Sequence, residues 1–171
     1  MNKLFALLAL IAAPAAAQEA SVYHASDTWP VSATGQSCTM TFAGREMLSD
    51  PFAVSYDGRE VALTAVSEVA SSLPSSGTME LAIVFLENGR TARDDGWGTR
   101  AFAYVRENGK ARFTARFAGE QNVRQILADL AGSRHIGFLH DGKVVMSSDL
   151  AGAGSSLGRL QECAARTVAA N

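Results

Sequence analysis

Apolar and polar residues alternate along several short stretches of the chain, a pattern that predicts β-strands with one buried face. The clearest stretch is 101–117, where Asn108-Gly109 supplies the residues of a two-residue hairpin turn. In this register one face is apolar and the other is polar and mostly charged. The apolar face comprises Phe102, Tyr104, Phe113, Ala115 and Phe117, and the opposite face comprises Glu107, Lys110, Arg112, Thr114 and Arg116. We therefore predict a hairpin that covers the core and exposes its charged side.

Earlier stretches predict more strands of the same kind. A hairpin at 52–65 would turn at Asp57-Gly58, burying one face and leaving the other in solvent. The pairs on its buried face would be Phe52 with Leu63 and Val54 with Val61. Two short strands at 29–31 and 38–42 flank a polar turn, and 79–86 is a single apolar strand.

A last hairpin begins at His135 and turns at Asp141-Gly142. The pairs next to this turn would be Leu139 with Val144 and Phe138 with Val145. Because successive strand residues point to opposite faces, both faces of the hairpin are apolar near the turn. A strand pair of this kind is normally covered on both sides, so we expect it to be central in the fold.

Two late segments have helical rather than alternating spacing. The first is 121–131, with Gly132 as its natural end, and the second is 155–169. The apolar stripe of the second helix comprises Leu157, Leu160, Ala164 and Val168, with Cys163 beside it. Strands outnumber helices and the hairpins are sequential. We therefore predict an α+β domain: an antiparallel β-sheet or sandwich of sequential hairpins, with two late helices packed on it.

The N-terminal residues have the features of a secretory signal peptide. A short positive start precedes an apolar run at 4–13, and small residues follow up to Ala17. We predict cleavage after Ala17, a flexible terminus at 18–27 and a single globular domain at 28–171. The mature protein is expected to be periplasmic or secreted, without a transmembrane segment.

Charge excludes some classes of partner. Removal of 17 residues leaves 154 and moves the net charge from −2 to −3, which does not suit general nucleic-acid binding. We expect no nucleic-acid partner and no cofactor. The sequence does not predict the oligomeric state.

The mature chain has two cysteines, Cys38 and Cys163, and an isolated pair in an oxidising compartment is expected to form a disulfide. A two-cysteine metal site is the alternative, but no partners stand at ligand spacing. Two histidines, His135 and His140, share the last hairpin, yet in the predicted register they point to opposite faces. His24 lies in the N-terminal segment. We therefore predict no metal site.

The segment 154–158 matches the G-x-S-x-G pattern of a hydrolase nucleophile, with Ser156 at its centre. The same residues are typical of a helix start, where Ser155 or Ser156 would cap the first turn. Since no Asp or His follows Ser156, the catalytic partners that this fold requires are missing. The helix start is the favoured interpretation, and no catalytic residue is assigned.

Two surfaces are candidates for binding a protein partner. One is the basic face of the 101–117 hairpin, with Lys110, Arg112 and Arg116. An ordinary solvated sheet face is the favoured interpretation of these residues, because the chain as a whole is acidic. The other is the Gly-rich segment around Trp97, which is either an exposed anchor or a plug under the sheet. A cavity lined by Phe102, Tyr104 and Phe113 would instead indicate a small-ligand binder.

Two short motifs, Trp29-Pro30-Val31 and Leu150-Ala151-Gly152, stand on either side of a helix near Leu127 and before Leu160 and Cys163. This arrangement resembles small secreted proteins of Gram-negative bacteria and, more distantly, the invasion-associated locus B family. The family pattern has additional cysteines in the middle, which this chain lacks. The resemblance implies an exported single domain with a role in the envelope or in host contact, and it implies no site residues.

The leading hypothesis is an exported, non-enzymatic domain that binds an envelope or host partner. The alternatives are a small periplasmic serine hydrolase that uses Ser156 and a small-ligand-binding protein.

Overall fold

The computed structural model describes residues 20–42, 51–68, 73–87, 90–91 and 97–169, so the predicted signal peptide lies outside the described residues. Within these ranges, eleven strands and two helices follow one another along the chain. They are β1 (Ser21–His24), β2 (Val31–Thr34), β3 (Ser37–Thr41), β4 (Phe52–Tyr56), β5 (Glu60–Ser67), β6 (Ser76–Glu87), β7 (Arg90–Thr91), β8 (Thr99–Glu107), β9 (Lys110–Ala118), α1 (Glu120–Gly132), β10 (His135–His140), β11 (Lys143–Asp149) and α2 (Ala153–Ala169).

The described strands form one antiparallel sheet in the order β1-β2-β3-β4-β5-β9-β8-β6-β10-β11, and the short β7 pairs with β6. Although β4 and β10 are far apart in this order, the rings of Phe52 and Phe138 lie 6.1 Å apart. The sheet therefore curls until its inner face packs against itself. The hydroxyl of Ser67 on β5 also donates to the carbonyl of Val145 on β11, at 3.1 Å. The predicted α+β class, with sequential hairpins and two late helices, is confirmed.

Both helices pack against the sheet on the side that carries the core. Helix α1 contacts β5 and β9, and α2 contacts β1 to β4. The buried apolar residues of the helices are Val123, Ile126, Leu127 and Leu130 on α1, and Ala153, Leu157, Leu160, Cys163 and Ala164 on α2. Each fully buried Leu or Ile side chain contributes about 1.5–3 kcal/mol relative to an exposed one. The predicted stripe on α2 differs at one position, because Val168 on the last turn is 50% exposed.

Alternation predicted the hairpin faces more accurately than the pairing. The β8–β9 hairpin is confirmed with Glu107 opposite Lys110, and both turn residues have the positive φ that such a turn requires. In the β4–β5 hairpin the predicted register is wrong by two residues. Four residues, rather than two, lie between Tyr56 and Val61, which are the paired residues nearest the turn. The observed pairs are Phe52 with Ala65, Val54 with Leu63 and Tyr56 with Val61. A shift of two keeps each side chain on its predicted face.

The β10–β11 hairpin departs from the sequence prediction in two ways. Leu139 pairs with Val144 as predicted, but Phe138 pairs with Met146 rather than Val145, because the register shifts by one residue between Phe138 and Leu139. The hairpin is also not central: β11 ends the strand order, and Val144 is 64% exposed. The outer apolar residues near the turn are therefore not covered as expected.

The N-terminal segment is more ordered than the sequence indicated. Residues 21–24, placed in a flexible terminus by sequence, form β1 and pair with β2. The ring of Tyr23 lies under the guanidinium of Arg166, whose Cζ is 5.7 Å from the ring centroid. This contact joins β1 to α2, which lies far along the chain. The prediction of a flexible terminus is thereby corrected over this strand.

The predicted disulfide is present and joins Cys38 on β3 to Cys163 on α2, with a Cα–Cα distance of 6.1 Å. Both cysteines are buried. A disulfide of this kind fits an oxidising compartment. Neither helix in the described ranges has the length and apolar composition needed to cross a bilayer.

Candidate functional site

Trp97 is part of the core. Its side chain is 3% exposed, and the ring stands edge-on to Phe117 at a centroid distance of 5.1 Å. The indole Nε1 donates to Asp129 Oδ2 at 2.7 Å, which ties the start of β8 to α1. The interpretation of Trp97 as an exposed anchor is therefore corrected, and the plug alternative describes it. The flanking glycines contain no signal that could have distinguished the two.

The three basic residues on the outer face of β9 are exposed, and each has a carboxylate partner. Lys110 pairs with Glu68 at 2.7 Å, Arg112 with Glu107 at 3.8 Å, and Arg116 with Glu60. Lys110 also lowers the pKa of the Glu68 carboxyl below its ordinary value, by hydrogen bonding and by its charge. Because these three cations are matched by three carboxylates, the face does not carry the excess positive charge that attracts an anionic polymer.

Ser156 does not occupy a nucleophile position. It lies inside α2 rather than on a turn before it, and its side chain is 2% exposed. The predicted serine cap is also wrong, because Ser155 Oγ donates to the carbonyl of Gly152. Ahead of the helix, Asp149 Oδ1 accepts a hydrogen bond from the amide of Ala151 at 2.8 Å. The Gly/Ser segment thus forms the first turns of α2, and Ser156 lies on the buried face of this helix.

The histidines of the last hairpin have separate neighbours. His135 Nδ1 lies 3.9 Å from Asp149 Oδ1, while His140 Nδ1 lies 3.0 Å from the carbonyl of Glu80. In the part of the chain that the structure describes, no three residues of the types His, Cys, Asp and Glu gather into a possible metal site. The aromatic residues proposed to line a ligand cavity are themselves buried and packed, with the rings of Tyr104 and Phe113 5.5 Å apart.

A concave surface lies instead between the two helices and the β4–β5 turn. It consists of two adjoining hollows of about 550 and 330 Å³, which share Tyr56, Gly58, Arg59 and Gln161. The first hollow is further lined by Gly119, Glu120, Val123, Arg124 and Leu127, and the second by Ala165 and Val168. We call this surface the helix groove. None of these residues was singled out for function by sequence reasoning, although Val168 was placed on the apolar stripe of α2.

Each wall of the helix groove follows from local sequence. On α1 the lining positions 120, 123, 124 and 127 share one helical face, and on α2 the positions 161, 165 and 168 do so. The third wall is the β4–β5 turn, where Gly58 has φ of +90°. A Cβ at this position would lie 3.2 Å from Cγ2 of Val168, so a glycine suits both the backbone conformation and the approach of α2.

Charge in the helix groove comes from two arginines and one carboxylate. Arg124 lies 3.6 Å from Glu120, one helical turn away, and both side chains are mostly exposed. The charge of Arg59 acts on the neighbouring carboxylate of Asp57 and helps to lower its pKa. The apolar lining residues differ in exposure. Val123 and Leu127 are buried, and Val168 is half exposed.

Asp57 holds the turn that forms the third wall. Its carboxylate accepts hydrogen bonds from the amides of Arg59 at 2.8 Å and Glu60 at 2.7 Å. Burial alone would raise the pKa of Asp57, but these backbone hydrogen bonds together outweigh it and lower the pKa below 3.8. A carboxyl whose pKa is lower in the folded state stabilises the fold above its unfolded pKa, and this contribution is lost as the pH falls through the folded value.

We therefore expect Asp57→Asn to lower the free energy of unfolding at pH 7 by at most about 1 kcal/mol, because the turn is near solvent. The difference from the unsubstituted protein should shrink when urea unfolding is repeated near pH 3. Asp141→Asn is the matched control, since Asp141 also lies in a hairpin turn but, among the described residues, its carboxylate accepts no hydrogen bond from a backbone amide. If Asp57→Asn lowered the free energy of unfolding equally at both pH values, the stabilisation could not come from the ionised carboxylate of Asp57.

Another hollow, of about 560 Å³, lies between the end of α1 and the start of α2. Its lining is largely backbone and small residues, with Arg134 as its charged member among the described residues. Next to it, Trp29 Nε1 donates to the carbonyl of Ala151 at 3.0 Å, so the two short motifs that carry the family resemblance contact each other.

Comparison of the chain with protein-family models, curated proteins and solved structures gives no match. The resemblance to the invasion-associated locus B family therefore stays a prediction, as does the envelope or host-contact role that it implies. The geometry of the described residues is what bears on function, and within it the helix groove combines concavity, exposed apolar surface and charge.

Proposed function

We propose that the mature chain is an exported, non-enzymatic domain that binds a protein partner of the cell envelope or of a host through the helix groove. Export follows from the signal-peptide pattern at 1–17 and agrees with the buried Cys38–Cys163 disulfide. The family resemblance points to the same compartment.

One observation carries the proposal: exposed apolar surface and cations occur together in a concave part of the molecule. Val168 is a large apolar residue that is half exposed, and it stands beside Tyr56 and Arg59 in the same hollow. Arg and Tyr are enriched in the residues that contribute most to protein–protein binding, because they combine contact area with hydrogen bonding. A partner side chain that entered the hollow would bury the exposed part of Val168.

The other predicted surface has weaker physical support. The outer face of β9 exposes Lys110, Arg112 and Arg116 on a sheet face, and their ion pairs already use the charges. Because a carboxylate stands beside each of the three cations, this face has no excess positive charge with which to attract a partner.

The proposal is tested by placing a photo-crosslinking amino acid at position 168 of the full-length protein in its own cells. We expect one discrete, light-dependent adduct in the periplasmic or extracellular fraction, with a mature chain that begins at Gln18. Position 144 is the matched control, because Val144 is also an exposed valine but lies on edge strand β11.

An adduct at position 144 of equal yield would mean that capture is non-specific and would refute the groove as the site. An adduct at position 112 but not at 168 would move the site to the hairpin face. Absence of an adduct at 168 would contradict the proposed function.

A further inference from the structure

We infer that the segment bound in the helix groove is an acidic peptide segment of the partner, which inserts one large apolar side chain beside Tyr56 and Val168 and pairs its carboxylates with Arg59 and Arg124. This inference rests on the proposed function and specifies the chemistry of the partner.

The first support is the balance of charge. Among the described residues that line the groove, two are cationic and one, Glu120, is anionic. The hairpin face has as many carboxylates as cations among its ion pairs, and the whole chain has a net charge of −2. The lining therefore has one more cation than anion in an acidic molecule, and the Asp57 carboxylate beside Arg59 lies in the turn outside this lining. Such a lining favours an acidic segment over a basic one.

The second support is that both arginines can accept a new partner at little cost. The Arg124–Glu120 pair is 3.6 Å long, with side chains 73% and 89% exposed, so its loss would cost little. Asp57, the acidic neighbour of Arg59, directs its carboxylate to backbone amides. A guanidinium can donate two parallel hydrogen bonds to one carboxylate, which gives such a pair a defined geometry.

The third support is the shape of the groove. Both hollows open to solvent along the outside of α1, α2 and the β4–β5 turn, whereas small-molecule sites usually enclose most of their ligand. Gln161, Ala165 and Val168 recur along one face of α2, so this side of the helix lines the groove for two turns. An open strip of this length fits a peptide segment that lies along it.

The experiment uses a library of random peptides displayed on phage and selected against the immobilised mature protein. We expect enrichment of sequences in which Asp or Glu flanks one large apolar residue. The best enriched peptide, fluorescently labelled, should bind at least about 10-fold more weakly to the double variant Arg59→Glu/Arg124→Glu, a factor that corresponds to about 1.4 kcal/mol. Binding should also weaken as salt is raised.

The matched control is Arg112→Glu/Arg116→Glu, which reverses the same number of charges on the hairpin face and should bind the peptide as the unsubstituted protein does. Glu120→Gln should tighten binding, since it removes the carboxylate that competes for Arg124. Circular dichroism of each variant checks that the fold is retained.

Selection of basic or uncharged peptides, or of none, would overturn the inference, and so would equal losses in the two double variants. The peptide selection and the crosslinking experiment at position 168 can fail independently of each other. A crosslinked partner at position 168 whose attached segment lacks acidic residues would leave the proposed function standing and refute the acidic segment.

Discussion

Replacing Cys38 and Cys163 together by alanine is expected to lower the free energy of unfolding by up to about 5 kcal/mol, according to the chain-entropy model. The cysteines are 125 residues apart, so the disulfide closes a loop that runs from β3 to α2 and contains most of the described strands. A loss of this size is comparable to the whole stability of many small domains. For a domain of this length it corresponds to a fall in melting temperature of roughly 10–20 °C.

The position of the disulfide explains why its loss should affect the whole fold. It joins β3 to α2, and α2 covers the inner side of β1 to β4. Without the disulfide, α2 would be held only by non-covalent contacts, chiefly the packing of Leu157, Leu160 and Ala164. Alanine is the better substitution, because it removes the disulfide without placing two new hydroxyl groups at buried positions.

Thermal unfolding followed by circular dichroism measures this effect. A thiol titration of the unsubstituted protein is the control for the oxidised state. It should detect no thiol until the protein is unfolded and reduced. Two titratable thiols in the exported protein, or a melting temperature that the double substitution leaves unchanged, would contradict the disulfide as the main constraint on the fold.

Trp97→Ala is expected to lower the free energy of unfolding by about 3–5 kcal/mol, as large-to-small substitutions of buried aromatic residues do. The substitution leaves a cavity beside Phe117 and removes the hydrogen bond to Asp129. It would also leave the Asp129 carboxylate without that donor in a half-buried position, which adds to the cost. Urea unfolding measures the change, with the coincidence of fluorescence and circular-dichroism transitions as the check of two-state behaviour.

Trp97→Phe is the control for Trp97→Ala. Phenylalanine keeps an aromatic ring next to Phe117 but cannot donate to Asp129, so its effect should be clearly smaller. If Trp97 were an exposed anchor, alanine would change stability by less than about 0.5 kcal/mol and would weaken partner capture instead. That result would reject the plug interpretation.

Much of the sheet was predictable because strand faces depend on neighbouring residues. In the 101–117 hairpin, alternation and the Asn108-Gly109 turn together predicted the observed pairing. At 52–65 the faces were predicted correctly although the register was not, since the observed shift of two residues preserves the side on which each residue lies. The length of this loop depends on the hydrogen bonds from backbone amides to the Asp57 carboxylate. The alternation of apolar and polar residues contains no information about these bonds.

The order of the strands was not predictable from such patterns. The β10–β11 hairpin has apolar residues on both faces near its turn, and we expected a central place for it. The register shift after Phe138 and the position of β11 at the end of the sheet leave Val144 exposed instead. Pairing partners such as β6 lie far away along the chain, so their identity depends on long-range packing.

The sequence by itself determined the strand faces, the two helices, the cysteine pair and the signal-peptide pattern, because each depends on nearby residues, on composition or on the chemistry of the compartment. The tertiary structure alone decided that Trp97 is buried and that β1 joins the sheet. It also decided the helix groove, whose walls come from the β4–β5 turn, α1 and α2. No local pattern relates these three segments, since only the folding of the chain brings their side chains into one concave surface.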